Sequence, residues 1–173
     1  MHRSIHCSLA TIVSIATIAG NISLIPNLAQ SQQAMTKTCD RATKEGYPFP
    51  SSSGYIKGCQ VKAKTGLSKV TVDNTQGDYD LFIKLFTLSS ERPQTIRGFL
   101  VKQGQKFTVE KVTRGTYDVR YRNLSTCKLF RTKKFKVKEE KTSDGIRASR
   151  IELTTYKVPQ GNSRHELIQE EDF

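Results

Sequence analysis

The chain has 173 residues, with 28 Lys and Arg against 16 Asp and Glu, and therefore a net charge of +12. This length allows one domain, or one domain with a targeting segment, and excludes a large multidomain enzyme. Hydrophobic residues make up 36% of the chain, which is low for a globular protein but too high for general disorder.

Residues 1–31 have the pattern of a secretory signal peptide. One cation, Arg3, precedes a nearly uncharged apolar stretch that Pro26 interrupts, and the small residues Ala29 and Ser31 follow. A permanent membrane anchor is the alternative, but the polar second half of this stretch is poorly suited to lipid. We therefore predict an exported protein, periplasmic or secreted. Its mature chain would carry a net charge of +11, because Arg3 is the one charged residue removed.

Residues 32–53 are predicted to be an irregular lead-in to a domain that spans 54–173. The segment is polar and contains Pro48, Pro50 and three consecutive serines.

Three cysteines remain in the mature chain, and an oxidising compartment predicts one disulfide and one spare thiol among them. Pairing Cys39 with Cys59 closes the shortest loop, so we predict that disulfide. The next alternative pairs Cys59 with Cys127.

From Gly54 onward, short alternating segments separated by turn residues predict an all-β domain. The predicted strands are 68–73, 79–88, 96–102, 106–112, 116–122, 129–138 and 147–158. The strand 79–88 is predicted to be covered on both sides, because it has Leu81, Ile83 and Leu85 on one face and Phe82 and Phe86 on the other. The spacing of the turns favours a single antiparallel β-sandwich of about seven to eight strands.

Two segments carry a resemblance to a known family. They are SKVTVDN at 68–74 followed by YDLFIKL at 79–85, and FTVEKVTRGTYDVRY at 107–121. Together they resemble a poorly characterised bacterial exported β-sandwich module, transthyretin-like or carboxypeptidase regulatory-like, which also occurs appended to J-domain and tetratricopeptide proteins. The resemblance covers about 54–173. It implies a β-sandwich with an accessory role and supplies no catalytic residues.

If 116–122 and 129–138 pair as a hairpin, the strand period of two places Tyr117, Tyr121, Phe135 and Val137 on one face. The opposite face then carries the predicted ligand-binding residues, which are Arg120, Arg122, Phe130, Lys134, Lys136 and Lys138. Cations release counterions from an anionic polymer, and an exposed ring offers it a stacking surface. In an exported protein we expect an acidic polysaccharide or an anionic membrane surface as partner, and no nucleic acid. The alternative is a solvated face whose lysines discourage aggregation.

The end of the chain is acidic, since residues 163–173 contain four acids and one Arg. One interpretation is that this segment lies on the cationic face and competes with a ligand. The other is that residues 165–169 form a last strand and the acids are its solvated end.

Catalytic and metal-site patterns are weak. The mature chain has one histidine, His165, and contains neither a G-x-S-x-G motif nor a Gly-rich phosphate loop. Asp73, Asp78 and Asp80 lie around one loop without the spacing of a calcium-binding EF-hand. We therefore predict a non-enzymatic accessory or binding module without a cofactor or a metal. The alternative is a protein-interaction or structural module that docks through edge strands and has no polymer ligand.

Overall fold

The computed structural model describes residues 39–59, 64–156 and 165–173, and the predicted signal peptide lies outside them. These residues are nearly all β-structure, as the alternating pattern predicts. The strands are β1 (Gly54–Tyr55), β2 (Ser68–Gln76), β3 (Leu81–Thr87), β4 (Gln94–Val101), β5 (Lys106–Val112), β6 (Gly115–Asn123), β7 (Leu129–Arg131), β8 (Phe135–Val137), β9 (Glu139–Thr142), β10 (Gly145–Ala148), β11 (Arg150–Tyr156) and β12 (Glu166–Leu167), and a short 3-10 helix spans Glu170–Asp172.

The strands form two packed sheets and a separate hairpin. The larger sheet has seven strands in the order β1-β4-β3-β6-β7-β12, with β8 also paired to β6. The smaller sheet has the order β11-β2-β5, and β9 pairs with β10. Between the two sheets lies the main apolar core, which is the arrangement of the predicted β-sandwich. β3 is buried on both faces, as its two apolar sets predict, and this makes it the centre of the domain.

One strand pair differs from the antiparallel prediction. β11 runs parallel to β2, with Val70 opposite Ile151 and Val72 opposite Leu153. A parallel pair needs a long crossover connection rather than a hairpin turn. Here the strands β3 to β10 of the domain supply that connection, which a strand-by-strand reading of turns does not reveal.

The predicted strand 129–138 is divided into β7 and β8, and both pair with β6. Between them Thr132 takes over the pairing: its main-chain N–H donates to the Val119 oxygen at 2.9 Å, and its hydroxyl accepts from the Val119 N–H at 3.1 Å. The residues that follow β8, predicted as a loop over 139–146, instead form most of the β9–β10 hairpin.

The disulfide joins Cys39 to Cys127, so the predicted Cys39–Cys59 pairing is wrong. Cys39 is buried beside the turn after β6, where its sulfur lies 3.6 Å from the main-chain oxygen of Asn123. Cys59 instead packs against β4 at Gly98, where a Cβ would lie 2.7 Å from the Cys59 sulfur. Loop length therefore predicted the wrong partner, because the lead-in folds back across the sheet. A disulfide favours an oxidising compartment.

Candidate functional site

The outer face of the larger sheet is the side of β3 and β6 that points away from the smaller sheet. It carries Phe82, Lys84 and Phe86 from β3 and Asp118, Arg120 and Arg122 from β6. One face of an antiparallel sheet is commonly solvated. This one is not, since Phe82 is 3% exposed beneath Ile56 of the segment after β1 and Phe173 near the end of the chain.

Arg120 is enclosed at the middle of this face, with 4% of its surface exposed. Its Nε donates to a carboxylate oxygen of Asp118 at 3.2 Å, and its guanidinium lies 4.0 Å from the centre of the Phe86 ring. Its Nη1 donates to the main-chain oxygen of Asp172. The structure therefore places this predicted ligand-binding residue under protein rather than at the surface.

We define the tail as residues 165–173, and it crosses the outer face. β12 pairs antiparallel with β7, and Glu166 forms an ion pair with Arg131 at 2.6 Å. Further along, Glu170 pairs with Arg122 and, at 3.3 Å, with Lys44. Burial acts to raise the pKa of Glu170, but the two cations outweigh it and hold that pKa below its ordinary value. The tail thus lies on the cationic face, and a two-residue strand forms as well.

Phe173 is the apolar contact of the tail with this face. Its ring meets Phe82 edge-on, with centroids 5.1 Å apart. The Lys84 ammonium lies 4.5 Å from the Phe173 ring centre and donates to the Phe173 main-chain oxygen at 2.9 Å. Burial lowers the pKa of Lys84. The same lysine therefore holds both the ring and the main chain of the tail.

The predicted outward position of Phe130 is wrong. Phe130 lies opposite Tyr121 in the register, stacks on it with ring centroids 5.2 Å apart, and packs against the main core. Counting parity through 129–138 fails because Thr132 and the two residues after it interrupt the strand. Both Phe130 and Phe135 consequently face inward, while Leu129 packs in the second apolar cluster with Phe82.

Three of the predicted cations remain open to solvent. Lys134, Lys136 and Lys138 are exposed, and none of them forms an ion pair with a residue that the structure describes. Lys136 and Lys138 also line an open cleft of about 500 Å³ together with Arg114. We call these residues the lysine edge: Lys134, Lys136 and Lys138 lie in or next to β8, and Arg114 directly precedes β6, the strand with which β8 pairs. Glu139 and Glu140, which directly follow Lys138, also line this cleft.

The structure adds two cations to the outer face, Lys84 and Arg131, that were not among the predicted ligand-binding residues. Lys84 had a readable signal: it is the one cation in a strand predicted to be covered on both sides, so it needs a partner. Arg131 had no such signal, because the side of the sheet on which its side chain lies depends on where β7 ends.

Neither a metal site nor a membrane span is found in the described part of the chain. No group of three or more His, Cys, Asp or Glu side chains there is placed to hold a metal ion. Among the same residues, no helix is both long enough and apolar enough to cross a bilayer. Comparisons with protein-family models, with curated proteins and with solved structures gave no match to the chain.

Proposed function

We propose that the protein is an exported, non-enzymatic module that binds an acidic polysaccharide through the lysine edge. The observation that carries this proposal is the contrast between two sets of cations on one sheet. Arg120, Arg122 and Arg131 are engaged by acids or by the main chain, whereas Lys134, Lys136 and Lys138 are exposed without a carboxylate partner among the described residues.

Charge and geometry support this ligand class. Several cations along one edge attract a polyanion and release its counterions on binding. The exported location rests on the predicted signal peptide, and the Cys39–Cys127 disulfide agrees with it. The resemblance to a bacterial exported β-sandwich module supports an accessory role. Of the six predicted ligand-binding residues, the proposal keeps the three lysines and adds Arg114.

The test is retention on an immobilised acidic polysaccharide under a salt gradient. The variant Lys134→Gln, Lys136→Gln, Lys138→Gln should elute at lower salt, and its slope of log affinity against log salt should be smaller by about two to three. A matched control replaces Arg41, Lys57 and Lys128 by Gln. These residues are also exposed, and their replacement removes the same charge, but none of them lies in or next to β8.

Equal losses in the two triple variants would show that net charge alone is responsible and would overturn the proposal. Equal retention on anionic lipid vesicles and on the polysaccharide would remove its ligand specificity. Salt-tolerant binding to a defined protein partner, unchanged in both variants, would instead support the alternative of docking through edge strands.

A further inference from the structure

The outer face has the composition of a binding groove rather than of a solvated strand surface. We define the tail groove by Phe82, Lys84, Phe86, Arg120 and Arg122, which lie on adjacent positions of β3 and β6. Rings and cations alternate there, so an aromatic side chain and an anion can be held side by side. Phe82 is 3% exposed and Phe86 is 7% exposed, so both rings are covered in the folded protein.

The occupant in the structure contacts four of the five groove residues, which are Phe82, Lys84, Arg120 and Arg122. Phe173 sits between the Phe82 ring and the Lys84 ammonium, and its ring also lies 5.1 Å from the Arg122 guanidinium. Glu170 pairs with Arg122, and the main-chain oxygen of Asp172 accepts from Arg120. An acidic segment that carries one aromatic residue is therefore the ligand chemistry that this groove recognises.

The hold of the tail on the groove is small. Within residues 165–173, Phe173 alone is buried, and Leu167 is 63% exposed. The side chains of Glu166 and Glu170 are 64% and 48% exposed, so their ion pairs are screened by water and salt. Ile168 adds a partly buried apolar contact, and the Tyr121 hydroxyl lies 2.6 Å from Nδ1 of His165. Even with these contacts and the hydrogen bonds from Lys84 and Arg120, a short segment with one fully buried side chain opens locally more often than the whole domain unfolds.

The groove also extends beyond the tail. Phe173 borders a cavity of about 370 Å³ whose wall includes three cations, Lys44, Lys84 and Arg122, and one acid, Glu45. These cations face space that the Phe173 ring lines but does not fill. A segment with a further acidic residue next to the aromatic one would reach them and gain contacts that the tail does not make.

We propose that the tail groove is a peptide-binding site for an acidic, aromatic-bearing segment of a partner protein, and that residues 165–173 are its exchangeable intramolecular occupant. This inference does not rest on the polysaccharide proposal, since the groove and the lysine edge are different surfaces. Binding of the partner segment displaces the tail from the face it now covers.

The test uses the full chain and a labelled, amidated peptide with the sequence of residues 165–173. In the variant Phe173→Ala the tail loses its buried side chain, so the peptide should bind at least tenfold tighter than it binds the unaltered protein, measured by fluorescence anisotropy. The same peptide with Phe173→Ala should bind at least tenfold more weakly. Adding Arg122→Gln to the protein should also weaken binding, because Arg122 faces both the acid and the ring.

A second variant keeps the test valid if Phe173→Ala fails to fold. Glu170→Lys reverses an exposed charge that pairs with Arg122, so it should release the tail and raise peptide affinity with the core intact, which circular dichroism checks. Equal peptide binding by the unaltered protein and by both variants would overturn the inference, as would equal binding of polyglutamate and the peptide. The Lys134, Lys136, Lys138 triple variant should bind the peptide as its parent does, which separates this result from the polysaccharide test.

Discussion

Breaking the Cys39–Cys127 disulfide should lower the stability of the domain about as much as a large core truncation does. The bond closes a loop with a sequence separation of 88, which spans most of both sheets. In the chain-entropy model, a disulfide that closes a loop of this size stabilises the fold by about 4.5 kcal/mol, because it lowers the conformational entropy of the unfolded chain. For a domain of roughly 140 residues, that corresponds to a fall in the melting temperature of roughly 15 °C.

The perturbation is the double variant Cys39→Ser, Cys127→Ser, and the assay is thermal unfolding followed by circular dichroism. Cys59→Ser is the matched control, since Cys59 is a free, partly buried thiol and its removal leaves the bond intact. The unaltered protein, once reduced, should have the same melting temperature as the double variant. The oxidised Cys59→Ser variant should have a melting temperature close to that of the oxidised unaltered protein. A double variant that melts within about 3 °C of the unaltered protein would refute the loop-closure reasoning.

Three other substitutions test separate parts of the structure. Phe130→Ala should cost about 2 kcal/mol by chemical denaturation and leave polysaccharide retention unchanged, because its ring stacks on Tyr121; lost retention at full stability would contradict this. Gly66→Ala should cost about 2–3 kcal/mol, since its Cβ would clash with the Val112 main-chain oxygen. Gly54→Ala should cost far less, because the nearest atom to its Cβ would be the Ser52 main-chain oxygen at 4.0 Å, an ordinary van der Waals contact. In the variant Asp73→Asn, the melting temperature should fall less than that of the unaltered protein as the pH decreases from about 4 to about 2. Hydrogen bonds from Lys106 and Thr75 lower the pKa of Asp73 to about 2, so its contribution is present above the unfolded pKa and is lost as the pH falls; an unchanged profile would show that Asp73 is not responsible.

The strand pattern could be predicted because it depends on local alternation. The run from Leu81 to Thr87 identifies a doubly buried strand without any tertiary information, and its lysine marks a position that needs a partner. What failed depended on features that alternation does not encode. The strand is interrupted at Thr132 and the two residues after it, and this shifts the alternation of inward and outward side chains between β7 and β8. Phe130 therefore faces the core and not the predicted ligand face.

The sequence predicted which cations lie together on one face, but not which of them are exposed to solvent. Arg120 and Arg122 do lie on one face, as the strand period requires, yet the acidic residues that cover them are about fifty positions away along the chain. The disulfide was missed for a related reason: short loops are favoured in an unfolded chain, whereas the folded sheet brings Cys39 over the turn after β6. Contacts between distant segments decide both outcomes.

The parallel pairing of β2 with β11 sets an order of assembly during synthesis. β2 is among the first long strands to leave the ribosome, but its partner is not complete until Tyr156 has emerged. Until then the smaller sheet has only β2 and β5, and one edge of β2 stays open, while all of the larger sheet except β12 can already form. Contacts of such long range slow folding and prolong the lifetime of an unpaired edge. A chain stalled or cleaved before β11 should therefore be the species most prone to aggregate, and chaperone binding should concentrate on it.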